Sequence, residues 1–564
     1  MNKKICFSLC LCGLFAFTGC NKKMAPIEPN RFSVNPNPLE VSGNKISGTI
    51  TGNIPAKAFV KNATVTITPF LNVNGENISS QSYSFQGEKV RGNNPIINYE
   101  KGGFVTIPLS YDYMQNMEDA SLSLTIDVKQ GNNQYYLPQI PISKGVITTA
   151  TIADVSTVLP AFISDKFQQV INEKFSTDIK FLVNKANIRD EELRSESMKN
   201  FNKKIVDASN DSTRKITEIN ISSYASPEGG VEYNAALAEK REKNTSAYLQ
   251  QHLKSQNITN FGDLTAQFTA QDWEGFQRLV SQSDIQDKEL ILSVLSMYND
   301  PEIREQEIRN MSSIFDQLAE EILPQLRYSR LTATIDVIGK SDKQIQDAYA
   351  NNPKSLTVDE LLYCATLTND NNKKAEIYQT TANIYDKDFR VFNNLGACQY
   401  IAKDYNAAKN NFKKAASINP SSKEVNMNLG LVYMLNGDNN KAIEYLGNSG
   451  GIDAANEAFG TYYLKMGDSQ MAAKAFGNSI SNNTALAHIL NKDYSKAKKT
   501  LASIASPDAT THYLMAILGA RTNNETMALS NLQQAIKLDN SLANKALKDK
   551  EFSNINLSTL KQNE

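Results

Sequence analysis

The sequence predicts a multidomain chain: an antiparallel β-sandwich, then an α/β domain, then an all-α repeat solenoid. Three observations carry this. Hydrophobicity alternates with a period of two from about Phe32 to Asp154. Strand and helix patterns alternate from about Phe162 to Asp342. From Thr357 onward a helical pattern recurs at intervals near 34 residues, as from Leu395-Gly396 to Leu429-Gly430. The boundaries drawn are 1–19 for an export signal, 20–31 for a tether, 32–160, 161–345 and 355–550 for the three domains, and 551–564 for a tail.

The N-terminus reads Lys3-Lys4, an apolar run from Ile5 to Phe17, then Thr18-Gly19-Cys20-Asn21. A basic start, a short apolar run and small residues before a cut make a secretory signal. The run is shorter than the roughly 20 apolar residues a bilayer span needs. Thr18-Gly19-Cys20 resembles a bacterial lipobox, with Phe17 in place of the usual Leu. That resemblance implies cleavage before Cys20, lipidation of its sulfur and an outer-membrane anchor. The stretch after it, Asn21 to Asn30, holds two prolines and reads as a tether of at most about 35 Å. Lys22-Lys23 stand where an acidic surface-export signal would be, which points to a periplasm-facing anchor.

Composition narrows the function classes. Lys+Arg (59) balance Asp+Glu (60), so no net charge draws the chain to nucleic acid. Four of six cysteines are Cys6, Cys10, Cys12 and Cys20, leaving Cys364 and Cys398 as ordinary buried thiols and no disulfide framework. The three histidines, His252, His488 and His512, have no partner at catalytic or metal-ligand spacing. No GxSxG nucleophile elbow between a strand and a helix, and no GxxxxGK[ST] or HExxH motif, occurs. The expectation is a non-enzyme without cofactor or metal.

In the β-sandwich, Val65, Ile67 and Leu71 alternate with threonines, and Val105, Ile107, Leu109 and Tyr111 and then Leu122, Leu124, Ile126 and Val128 repeat the pattern. Each strand therefore has one apolar and one wet face. Asn74-Gly75 and Gly131-Asn132 supply turns. In the α/β region, strands are expected over Thr177–Val183, Ile216–Tyr224 and Arg330–Ile338. Helices carry Met198, Phe201 and Ile205 on one face and run from the Ser226–Gly230 loop to about Leu253. Asp300-Pro301 opens another helix, with a core stripe of Ile308, Met311, Phe315, Leu318 and Ile322. Trp273 is expected to pack in the core or as a lid.

The stretch SSYASPEGGVEYNAALAEKREKNTSAYLQQHL resembles the OmpA-like domain, a βαβαβ module that binds peptidoglycan. Asn234, Leu237, Arg241 and Leu249 stand at its helix anchors. The resemblance implies that Arg241 and Asn234 contact the wall peptide. The family's acid falls at Ser226 here, and Glu228, two residues on, is the candidate replacement. A zwitterionic ligand needs both signs. The alternative is that Asn234 and Arg241 only tie the loop to the helix.

Leu395-Gly396, Ala408, Phe412, Ala415 and Pro420 fall at tetratricopeptide positions, and Leu429-Gly430, Tyr433 and Ala442, then Phe459-Gly460, Tyr463, Ala472 and Phe476, repeat them. Weaker copies centre on Ala375, Ala497 and Ala528. This resembles a solenoid of about five tetratricopeptide (TPR) units, whose groove is expected to hold a protein partner. Asn393, Ala397, Tyr400, Met427, Leu431 and Met434 lack the basic set that grips acidic tails.

The function expected is thus a non-catalytic outer-membrane lipoprotein that tethers or scaffolds the envelope. The alternative is a subunit of a secretion or surface-fibre assembly complex whose OmpA-like domain binds protein.

Overall fold

The computed structural model describes residues 23–310 and 312–558. The export signal, Cys20 and Met311 of the expected stripe lie outside the described residues, as does the end of the tail beyond residue 558. The chain forms two compact units: residues 23–164 together with 368–558, and Asp165–Leu367. The β-rich N-terminal part and the helical repeats are therefore one body, with the α/β region inserted between them in sequence.

The first unit opens with β1 (Phe32–Ser42), β2 (Lys45–Ile54), β3 (Ala63–Val73), β4 (Glu76–Ser79), β5 (Tyr83–Gly87), β6 (Ile96–Ile97), β7 (Gly103–Asp112), β8 (Ser121–Gln130), β9 (Asn133–Lys144) and β10 (Val146–Ile147). One sheet has the order β10-β1-β2-β7; the other has β6-β5-β3-β8-β9, with β4 beside β3. Their inward residues, among them Ile46, Ile50 and Ile107 from the first and Val65, Ile67 and Ile126 from the second, share one core. The period-two residues of β3, β7 and β8 are its buried face, as alternation requires. Met24 and Ile27 belong to the same core, and the Met24 N–H donates to the Tyr135 hydroxyl at 2.8 Å. The stretch expected to be a free tether over 20–31 is therefore pinned at Met24 and Ile27, because its apolar side chains join the core between the sheets.

The helical part runs as antiparallel pairs: Phe389–Ile401 with Tyr405–Ile418, Lys423–Leu435 with Asn439–Gly447, Ala454–Met466 with Ser469–Phe476, Asn482–Leu490 with Tyr494–Ala502, and Ala509–Arg521 with Glu525–Leu538. Each second helix begins at a capping side chain: Asp404, Asp438, Asp468, Asp493 and Asn524 each accept from the backbone N–H three residues on. Small residues let the paired helices close. A Cβ on Gly396 would lie 2.7 Å from the Phe412 ring, and one on Gly460 would lie 2.5 Å from the Phe476 ring. The supposed tail is packed: Phe552 is buried in the last repeat, and Lys550 donates to Asp119 at 2.6 Å. Glu551 pairs with Arg521 and accepts from Thr149. The helix Val358–Thr366, assigned from sequence to the solenoid, falls within the other unit.

The second unit holds β11 (Val170–Lys180), β12 (Arg214–Tyr224), β13 (Asp263–Thr269) and β14 (Tyr328–Ile338) in the order β11-β14-β12-β13. Only β12 and β13 run parallel. Helices Glu196–Asn210 and Val231–Ser255 cover the sheet through Met198, Phe201, Ile205, Leu249 and Leu253. Between β13 and β14 lie helices from Trp273 to Glu321. They build a separate small core of Phe276, Val280, Ile291, Leu295, Leu318 and Ile322, with Trp273 against it. Asp300 accepts from the Glu302 and Ile303 N–H groups, the cap expected there.

Candidate functional site

The loop between β12 and the Val231–Ser255 helix brings together every site residue expected in the α/β unit. Arg241 sits on the third turn past the loop and is 1% exposed. Its Nη1 donates to Tyr224 O at 2.7 Å, its Nε to Lys185 O at 3.1 Å and its Nη2 to Leu182 O at 3.3 Å. Its guanidinium also lies over the Phe181 ring at 5.0 Å. The side chain thus stitches three backbone segments together. Burial, then the neighbouring Arg327 charge, pull its pKa down to about 10.

Asn234 is equally occupied: its Nδ2 donates to Ser226 O at 3.1 Å and to Gly229 O at 2.6 Å. The Ser226 hydroxyl donates to Glu228 Oε1 at 2.8 Å. Glu228 itself accepts two bonds from Arg327, from Nε at 3.0 Å and from Nη2 at 2.9 Å. Such a bidentate carboxylate–guanidinium pair is the strong geometry for these groups. Arg309 donates to the Glu228 carbonyl. The loop therefore holds an acid and two arginines whose hydrogen bonds are made within the unit. Arg327 was not singled out from sequence; it is 99 residues from Glu228, and no local pattern links the two.

The second candidate is the concave face of the repeats. The expected open groove is occupied, from Asn394 to Asn483, by the chain's own segment between β10 and Ser164. Ala161 is held by Asn428, which accepts from its N–H at 2.7 Å and donates to its carbonyl at 2.8 Å. Asn393 donates to that same carbonyl at 2.9 Å. Asn394 accepts from the Ile163 N–H and donates to the Ile163 carbonyl, at 2.8 and 2.9 Å. Asn483 does the same for Asp154, at 3.1 and 2.8 Å. The Tyr400 hydroxyl donates to Val155 O at 3.0 Å. Of the six groove residues named from sequence, Asn393 and Tyr400 hold this segment, while Ala397, Met427, Leu431 and Met434 are buried.

No His/Cys/Asp/Glu group among the described residues could hold a metal. Cys364 and Cys398 are free and buried, and burial pushes both thiols up, Cys398 to about 11. The His512 Nδ1 lies 3.0 Å from Asn531, and burial lowers the pKa of His252 and His488. No described helix is long and apolar enough to cross a membrane.

Known proteins illuminate the repeats. The tetratricopeptide repeat family matches residues 389–422 and 424–449, so this part of the chain is built of TPR units, modules that bind proteins. A bovine protein, BBSome complex member BBS4, is 29% identical over 110 residues, which are 19% of this chain and 21% of that one. The chain thus spans about a fifth of the length of that curated relative. A tetratricopeptide repeat protein from Parabacteroides merdae is 14% identical and covers 37% of this chain and 89% of its own, with a TM-score of 0.28. The pilF protein of Pseudomonas aeruginosa is 16% identical over 38% of this chain and 99% of its own, with a TM-score of 0.29.

Proposed function

We propose that this chain is a non-catalytic scaffold lipoprotein, anchored through Cys20 in a gram-negative outer membrane and facing the periplasm, and a subunit of an envelope assembly complex. In this reading its β-sandwich and TPR solenoid form the scaffold body, and its OmpA-like domain binds protein rather than peptidoglycan. The observation that carries the last point is the state of the loop after β12. A wall peptide presents an ammonium and a carboxylate together, and it must be met by an acid and a base free to turn outward. Arg241 spends three nitrogens on backbone carbonyls, and Glu228 is paired with Arg327. A ligand would have to break a bidentate pair before it gained one.

The second reading, a peptidoglycan tether, rests on the helix anchors Asn234 and Arg241. Co-sedimentation of the mature, non-lipidated chain with purified sacculi separates the two. The expected result is no pelleting, with stoichiometric protein partners recovered when the tagged chain is drawn from native membranes. Pelleting that free diaminopimelate displaces, and that Glu228→Ala abolishes, would overturn the protein-binding reading in favour of the tether.

A further inference from the structure

The segment Asp154–Ile163 lies in the solenoid as a peptide ligand lies in a receptor. Its grip is on the main chain. Asn394, Asn428 and Asn483 each take both the N–H and the C=O of a single residue, an arrangement that suits a side-chain amide, which carries an acceptor and a donor side by side. Asn394 and Asn428 stand 34 residues apart, at the same point of successive first helices. The repeat itself therefore spaces the Ala161 and Ile163 contacts, while Val155–Thr157, next to the Asp154 grip, form a turn of 3-10 helix. Asn393 and Asn428 are further joined to each other, Nδ2 of Asn428 donating to Oδ1 of Asn393 at 2.9 Å, which fixes both amides. Asn483 is likewise oriented by Thr461, to whose hydroxyl it donates at 3.2 Å.

Side chains contribute by size. Val155, Val158 and Ala161 are buried against the solenoid face, whereas Leu159 is 74% exposed. The groove thus takes small or β-branched residues at three positions, buries Pro160 beside them, and leaves Thr157 and Leu159 to solvent. Buried asparagines are costly unless paired, so this face would be poorly satisfied if empty.

We infer that the concave face of the solenoid is a backbone-reading peptide site whose resident ligand is the chain's own Asp154–Ile163 segment, bound in cis, so that this face is closed to external peptides in the native protein. The site's ligand class is a segment with one 3-10 turn and small or β-branched residues in the places of Val155, Val158 and Ala161. This inference is independent of the lipid anchor and of what the OmpA-like domain binds.

The test uses the full mature chain in three forms: native, Ala161→Trp, and one in which residues 154–163 are replaced by Gly and Ser at the same length. The probe is a fluorescent synthetic peptide of residues 153–164, followed by anisotropy. The native chain should not bind it where the two opened chains saturate, a difference of at least about tenfold in Kd. Adding Asn428→Ala to an opened chain should weaken binding by about tenfold again. Equal binding by the native and opened chains would overturn the inference. So would an absence of binding by opened chains that keep the native circular dichroism. If opening unfolds the chain, hydrogen exchange of the native protein decides: slow exchange at the Asp154, Ala161 and Ile163 amides supports a resident ligand, and exchange at the rate of free chain refutes it.

Discussion

At the scale of single residues, the decisive feature of Arg241 is that its partners are backbone carbonyls. An arginine facing ligand would be expected to pair with a mobile or external acceptor; this one closes Leu182, Lys185 and Tyr224 around itself. Removing it leaves part-buried carbonyls without donors, each a loss on the order of 1–3 kcal/mol when no water replaces the bond. Arg241→Ala should therefore destabilise the α/β unit by roughly 2–4 kcal/mol in denaturant titration. Arg241→Lys should not restore it, because an ammonium cannot reach three acceptors laid out for a planar fork. A variant of unchanged stability would show that the arginine is free for other work. Glu457 offers a pH-dependent counterpart. Burial raises its pKa, although Ser479 and Ser481 donate to it and partly offset that. The folded chain holds this proton more tightly than the unfolded chain does. The resulting cost is absent at acid pH, sets in as pH rises through the ordinary carboxylate range, and is fully present above the folded-state pKa. Glu457→Gln should raise the melting temperature at pH 7 and change it little at pH 4; a gain confined to pH 4 would contradict this.

At the scale of elements, what was legible in the sequence was what is periodic. The alternating residues of β3, β7 and β8 and the Gly/Ala positions of the repeats could be read because each element's own period places its core face. Strand β13 went unread because DLTAQFT is a short edge strand whose weak alternation of Leu264, Ala266 and Phe268 marks no buried face, almost every side chain standing in solvent. The Asp154–Ile163 segment went unread for a different reason. Its hydrogen bonds come from residues such as Asn394, 231 positions away, and a chain held by its backbone needs no pattern of its own. The signal that was present lay on the other side, in amides at 394 and 428 on otherwise apolar helices. The repeats also allow a graded test of helix approach. A Cβ on Gly460 would meet the Phe476 ring, a side chain, at 2.5 Å; one on Gly519 would meet the backbone N of Ala528 at 2.6 Å. A ring can tilt, whereas the partner helix must move as a whole. Gly519→Ala should therefore cost more than Gly460→Ala, with both in the range of about 1–3 kcal/mol expected of overpacking. Calorimetric melting of the two variants would check the order, and the reverse order would mean that the last helix pair is looser than its contacts imply.

At the scale of the whole molecule, chain order and compact units do not coincide. Residues 23–164 and 368–558 make one unit although 203 residues, 165 to 367, separate them in sequence. Several independent links join their two parts. Besides the groove segment, Ser42 donates to Gly467 O at 3.1 Å, Lys550 bridges to Asp119 at 2.6 Å, and Thr149 donates to Glu551, which Arg521 of the same repeat holds in place. The Arg521–Glu551 pair is nearly buried, and losing one member of such a pair costs several kcal/mol because the other is left unpaired. The sequence could not announce this, since the Lys550–Asp119 bridge spans 431 positions and neither residue sits in a motif. The β-rich part and the solenoid should accordingly behave as one cooperative body. Protease sites placed after Ser164 and before Thr368 would cut the chain while sparing each of these links. The N-terminal and C-terminal fragments should then co-elute in size-exclusion chromatography and melt in a single transition. Double substitution of Asn428→Ala and Glu551→Ala should shift that elution toward separate fragments, because it removes the Ala161 contacts in the groove and the Thr149–Glu551 bond together. Fragments that part without any substitution would show the two halves to be independent domains, and the solenoid's face would then have to be regarded as open.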